Sequence, residues 1–191
     1  MKHSRILKND QYSFNRLTPS DELATAMFWG AHNVWHEANE SIAYHLHLYR
    51  QKTLYASELA QSIKNCLNAL FPLMDDLCMI TCSHCPDPCC LNARVWFDFR
   101  DMLFLHLSEQ QIPRRQLIRS RKEICCYLGY RGCTLPRIRR PWACTWYLCP
   151  PQSAVLRKRE FSSGNIFERN VRIIRSTRKE MEAEFVRIVS F

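Results

Sequence analysis

Apolar residues return every three or four positions along three stretches of the chain, with polar residues between them. In the first stretch Leu23, Met27, Ala31, Val34, Ala38, Ile42, Leu46 and Tyr49 share one face for about seven helical turns. Thr18-Pro19-Ser20-Asp21-Glu22 supplies the start signal: Thr18 can accept backbone N–H groups, and Pro19 is preset for the first helical position. The second stretch runs from Ser57 to Phe71 with Leu59, Ile63, Cys66, Leu67 and Leu70 as its stripe. Pro72, which has no N–H to donate, is expected to end it. Together the two predict an antiparallel helical hairpin over residues 18–78. The third stretch, Ser163 to Val189, puts Phe167, Val171, Ile174, Met181, Phe185 and Ile188 on one seam that Arg178 interrupts. This C-terminal helix, assigned to residues 163–190, is expected to dock on the hairpin.

Between the helices the period is lost. The run Cys82-Ser83-His84-Cys85-Pro86-Asp87-Pro88-Cys89-Cys90 reads as an irregular loop, because its prolines forbid a regular helix. Val95, Phe97 and Phe99 alternate with Trp96, Asp98 and Arg100, a short extended or strand signal. A helix from about Phe99 to Gln111 follows, with Asp98 and Asp101 as caps, Met102, Leu105 and Phe104 as its apolar face, and Pro113 just beyond. From Ile124 to Pro151 the sequence predicts loops and short turns, and Arg157-Lys158-Arg159 reads as a solvated connector. No internal repeat or low-complexity tract is present. The expected fold class is mainly α: a helical hairpin and a C-terminal helix around an irregular cysteine module at 79–151. At 191 residues the chain suits a single domain over 1–191.

Composition changes this picture at one point. With 47% apolar and 24% charged residues the chain is ordinary globular material, but it has 11 cysteines. Nine fall in the central module, and eight of them are the ligand candidates: Cys82, Cys85, Cys89, Cys90, Cys125, Cys133, Cys144 and Cys149. The start of the chain lacks the apolar core of a signal peptide, and no apolar run approaches the roughly 20 residues of a membrane span. The expected setting is therefore cytoplasmic and reducing, with no membrane partner, where spaced cysteines hold metal or do redox chemistry more often than they form disulfides. Eight thiolates around two divalent ions would lower the formal net charge of +9 to about +5, which weakens the case for nucleic acid as the main partner.

Thiolates are the donors that soft and borderline metals hold best, and a C-x2-C pair can wrap one ion or one cluster corner without backbone strain. Adjacent cysteines such as Cys89 and Cys90 diverge and can serve two metals or two corners. The eight candidates permit two four-thiolate zinc sites or one 4Fe-4S iron–sulfur cluster with cysteines to spare. Cys149-Pro150 echoes the Cys-Pro that closes ferredoxin-type motifs and favours iron–sulfur.

The order C-x2-C-x3-C-C, Cys125-Cys126-Tyr127-Leu128, Gly132-Cys133-Thr134-Leu135 and Arg140-Pro141-Trp142-Ala143-Cys144 resembles the YkgJ-type cysteine-cluster proteins, described as zinc- or iron-chelating domains. The resemblance covers residues 79–151. It implies metal binding by Cys82, Cys85, Cys89, Cys90, Cys125, Cys133 and Cys144, with Cys149 closing the module. Two spacings depart from the family's pattern: three residues precede Cys89 where two are common, and Cys133 to Arg140 is about one residue long. Flagellin lysine methylases have a similar motif, so a modifying enzyme is one implied role beside a redox, cofactor-handling or enzyme-accessory protein.

The alternative is a zinc-stabilised binding module using a basic face for RNA or an acidic protein partner. Arg114, Arg115, Arg119, Arg121, Lys122, Arg131, Arg137, Arg139 and Arg140 flank the module, where they could grip phosphates or neutralise an anionic cluster. His32 and His36 are four apart on the first helix but lack a third ligand, so they read as helix-flank residues; His45 and His47 diverge. His84 lies within the first loop and reads as exposed or as a hydrogen-bonding neighbour of the metal. Cys66 reads as a small core residue. Cys78 and Cys126 could each substitute for a neighbour as ligand. Gly-rich phosphate loops and Ser-His-Asp orders are missing.

Overall fold

A computed structural model describes residues 32–82, 85, 86, 88–92, 94–117, 124–130, 132–159 and 161–190, with 32, 33, 89, 92 and 161–165 described by their backbone alone. The expected helix start at Thr18 and the stripe positions Leu23, Met27 and Ala31 lie outside these residues. The chain is mainly helical, with a cysteine-rich region between the helices. In order come α1 (His32–Leu48), α2 (Leu54–Thr81), α3 (Cys89–Asn92), α4 (Phe99–Leu107), β1 (Leu128–Gly129), β2 (Gly132–Cys133), a 3-10 turn at Arg137–Arg139, α5 (Ala143–Trp146), α6 (Pro150–Lys158) and α7 (Phe161–Val189). No helix among the described residues is long and apolar enough to cross a membrane.

The core forms where α2 and α7 lie along one another, with α4 closing one side. Leu59, Ile63, Leu67 and Leu70 of α2 are buried, as are Phe167, Val171, Ile174, Met181, Phe185 and Ile188 of α7, so both stripes face inward. Burial of each such side chain contributes about 1.5–3 kcal/mol. Cys66 is half-buried against this core.

Pro72 does not end α2, which runs on to Thr81. Pro72 and Asn68, whose carbonyl loses its donor, both sit on the exposed face, where water can take the free acceptor. Met74 and Leu77, buried one and two turns on, hold the continuation against the core. The extension carries Cys78 and Cys82 to the cysteine module.

On α1 Ile42 of the expected stripe is buried and Ala38 and Leu46 pack against the core, while Trp35 and Asn39, each one position past the stripe, are buried as well. The Trp35 indole N–H donates to the Pro113 carbonyl at 2.9 Å, and Asn39 meets His106 of α4 at 3.0 Å. Burial lowers the His106 pKa.

The alternating run belongs to no strand among the described residues, and its last member, Phe99, already opens α4. The Gln116 side chain takes a strand's place: its Oε1 accepts the Phe97 N–H at 2.7 Å and its Nε2 donates to the Phe97 carbonyl at 2.9 Å. α4 starts on the expected caps, with Asp98 and Asp101 exchanging side-chain-to-backbone bonds in a capping box. It stops at Leu107, short of Gln111.

Arg178, the polar break in the α7 stripe, is buried and charged. Its guanidinium donates to Asp101 Oδ1 at 2.7 Å and to both Asp98 oxygens at 2.8 and 3.0 Å. Burial lifts the Asp101 carboxyl to about 6 against the pull of Arg178. The same Asp101 Oδ1 accepts the Trp142 N–H at 3.0 Å. One carboxylate therefore ties α4 and α7 to the turn that carries Cys144.

Candidate metal centre

The expected loops at 124–151 contain three small devices that aim thiols. Leu128 pairs with Cys133 and Gly129 with Gly132 in a two-residue hairpin, and Gly132 has φ +101°, a backbone that side-chain-bearing residues rarely adopt. The Tyr127 hydroxyl ties this hairpin to the segment before it: it accepts the Arg115 N–H at 2.8 Å and donates to the Arg115 carbonyl at 2.9 Å. Arg-Pro-Trp-Ala-Cys then winds into α5, where Cys144 N–H donates to the Pro141 carbonyl at 2.9 Å.

Three of the expected ligands lie near enough to a fourth, Cys144, to act on its charge. Cys144 keeps an exposed face, yet burial on its inner side and then the nearby Cys133, Cys90 and Cys125 push its thiol up to about 12; Arg140 pulls the other way. The four sulfurs come from α3, the segment before β1, β2 and α5. Cys126 is an exposed neighbour, its thiol raised by burial and then by Cys125.

A second group forms at the far end of α2. The Cys82 thiol is raised by burial first, lowered by its contact with the Thr81 hydroxyl at 3.8 Å, and raised again by Cys78 and Cys149. Cys149 is the N-cap of α6, with Pro150 and Pro151 in the first turn. Its Cys-Pro is thus a helix start, a signal legible as Pro at the first position and Gln at the third. Gln152 reaches all three cysteines: Oε1 accepts the Cys149 N–H at 3.3 Å, and Nε2 lies 3.4 Å from Cys78 Sγ and 3.8 Å from Cys82 Sγ. Arg137 Nη2 stands 3.4 Å from Cys78 Sγ, and its Nε binds Asp75. Burial opposes the Arg137 charge, and these two partners overcome it, raising its pKa.

Cys85 is half-buried, its N–H donating to the Cys82 carbonyl at 3.3 Å. The Cys89 side chain, His84, the His32 side chain, Arg119, Arg121, Lys122 and Arg131 lie outside the described residues. His36 faces Glu40 at 3.1 Å on the exposed side of α1. Arg139 bonds Gln111 at 2.8 Å and Arg140 bonds the Leu135 carbonyl at 2.9 Å, so part of the basic set is folded into the module. Arg157 and Lys158 are the last turn of α6, and Arg159 pairs with Asp76.

Cys66, Cys78, Cys82, Cys85, Cys125, Cys126, Cys133, Cys144 and Cys149 are not in disulfides. Among the described residues, no group of three or more His, Cys, Asp or Glu side chains is placed so that it could hold a metal ion. The fit to a metal is therefore one of donor chemistry: burial first, and neighbouring cysteines second, make the Cys144 and Cys82 thiols hold their protons, a balance that a bound cation inverts. No family model matches the chain, and neither the curated proteins nor the solved structures give a match.

Proposed function

We propose that the chain is a cysteine-cluster metalloprotein of the YkgJ type, holding an iron–sulfur cluster through thiolates of the 79–151 module and serving a redox, cofactor-handling or enzyme-accessory role in the cytoplasm. The observation that carries this reading is the gathering of Cys90, Cys125, Cys133 and Cys144 from four separate segments. Four thiolates at such range repel one another, and a soft cation turns that repulsion into attraction. When bound, the cluster supplies an electron-storing centre. The chain supplies the rest: Gly132 and the Tyr127 clamp fix the direction of Cys133, Asp101 anchors the turn before Cys144, and Arg140 offsets negative charge.

A second reading is favoured by the all-thiolate donor set, which suits structural zinc in a binding module for RNA or an acidic protein. Anaerobic purification separates the two. A brown protein containing iron, whose visible absorption bleaches with reductant, supports the cluster; colourless protein with stoichiometric zinc, and RNA binding that weakens steeply with salt, supports the module. Metal-free protein whose folding is indifferent to added iron, sulfide or zinc overturns both.

A further inference from the structure

We infer that the outward ridge of α7, with Tyr147 of the cysteine module beside it, is a docking surface for single-stranded RNA. The inference rests on the RNA partner of the second reading above, gives that partner a face, and is independent of which metal the module holds. Arg169, Arg172, Ser176, Lys179 and Ala183 step by three, four, three and four along α7, so they form one ridge, and all five are exposed. Three are cations. The other two are small, which lets a sugar–phosphate backbone approach the helix.

These cations are left over by the fold. Of the acids on α7, Glu180 accepts from the Tyr55 hydroxyl, Glu182 pairs with Arg100 and Glu184 with Arg187. Glu168 is exposed one turn before Arg172 without pairing with it. Arg169, Arg172 and Lys179 form no ion pair or side-chain hydrogen bond among the described residues. The ridge therefore presents an excess of positive charge that nothing described neutralises, and a chain of phosphates is its complement.

Arg175 joins the ridge to the aromatics of the module. It lies one turn from both Arg172 and Lys179, and its guanidinium carbon stands 4.6 Å from the Trp146 ring centre. Trp146 in turn meets Trp142 at 6.5 Å and Tyr147 at 6.4 Å between ring centres. Arg175 lies over Trp146, which leaves Tyr147, 49% exposed, as the ring that takes a base. Cations for phosphates beside an open ring for a base suit an unstacked strand. An acidic protein calls on the cations alone, and a duplex keeps its base faces covered.

The test uses the full-length protein and a fluorescein-labelled oligouridine of about 16 nucleotides, followed by fluorescence anisotropy over a salt series. Wild type is expected to bind, with an affinity that falls steeply as salt rises. Arg172→Ala/Lys179→Ala should weaken binding about 10-fold and flatten the log–log salt slope by about 1.4, the value for two phosphate contacts on a single strand. Tyr147→Ala should weaken it about 5-fold or more with the slope unchanged, because stacking releases no counterions. All three positions are exposed, so circular dichroism of these variants is expected to match wild type. Salt-steep binding that survives Arg172→Ala/Lys179→Ala overturns the α7 surface; its loss in Arg114→Ala/Arg115→Ala instead keeps the RNA reading standing. Labelled polyglutamate binding as tightly as the RNA, with Tyr147→Ala inert toward both, assigns an acidic protein and overturns RNA as the ligand. No salt-dependent binding by wild type overturns this surface and the RNA reading together, while iron and zinc content still decide the metal.

Discussion

The helical frame and the cysteine module solve the same problem, holding a chain in one shape, with different materials. Along α2 and α7, long stripes of Leu, Ile, Val, Phe and Met are buried over many turns, and the shape follows from area removed from water. In the module the regular elements are two to nine residues long, and few side chains between Ile124 and Pro151 are fully buried. There, single polar contacts set direction: the Tyr127 clamp, Asp101 on the Trp142 amide, Gln152 on three cysteines. A frame made by area tolerates single losses, whereas a module made by directed contacts depends on each of them.

The sharpest way to break this contrast is to remove metal. Chelation, or Cys144→Ser, is expected to accelerate hydrogen exchange over 124–149 by orders of magnitude while α2 and α7 remain protected, since structural metal sites supply about 10–16 kcal/mol. Equal loss in both regions would show the frame to depend on metal as well. Next in size is Arg178→Leu, which strands Asp101 and Asp98; urea denaturation should show a loss of about 3–5 kcal/mol. Gln116→Ala leaves both Phe97 backbone groups without partners and should cost about 2–3 kcal/mol by the same measurement.

A pH series sharpens the comparison further. In metal-free protein the Cys144 thiol has its pKa raised, to about 12 from an ordinary 9.0, so the folded state binds this proton more tightly than the unfolded one. Its contribution to stability is whole below pH 9 and declines as pH rises toward 12. The loss is no more than about 1 kcal/mol per pH unit once screening at its exposed face is allowed for. The urea midpoint of wild type should therefore fall more than that of Cys144→Ser across this window. The smallest effect belongs to Cys66→Ser, which should leave metal content unchanged, because Cys66 packs on the frame and is apart from both thiol groups.

The frame was readable because burial on a helix leaves a period, and every stripe residue named on α7 is buried. The cap of α4 was readable too, because Asp98 and Asp101 occupy fixed offsets. Pro72 misled because proline's cost depends on whether the orphaned carbonyl faces water, which the local sequence does not encode. The Trp35 face of α1 was missed because its partners, Pro113 and His106, are remote in sequence. For the site, residue type and spacing named the thiols but not their neighbours: Cys78 and Cys82 meet Gln152 because α2 passes Pro72 and Cys149 serves as the N-cap of α6. Gln152 and Asp101 bear no chemical signature of a site; only the capping arrangement at α6 pointed to the first.

Asp101 receives Trp142 from the cysteine module, Arg178 from the last helix and the Asp98 amide from its own. Mutational tolerance at these positions is consequently shared: a neutral residue at 178 is acceptable only alongside neutral residues at 98 and 101, and that combined change would free the Trp142 turn as well. Natural variation should therefore alter the frame and the thiol-bearing turn at this joint together or leave both as they are.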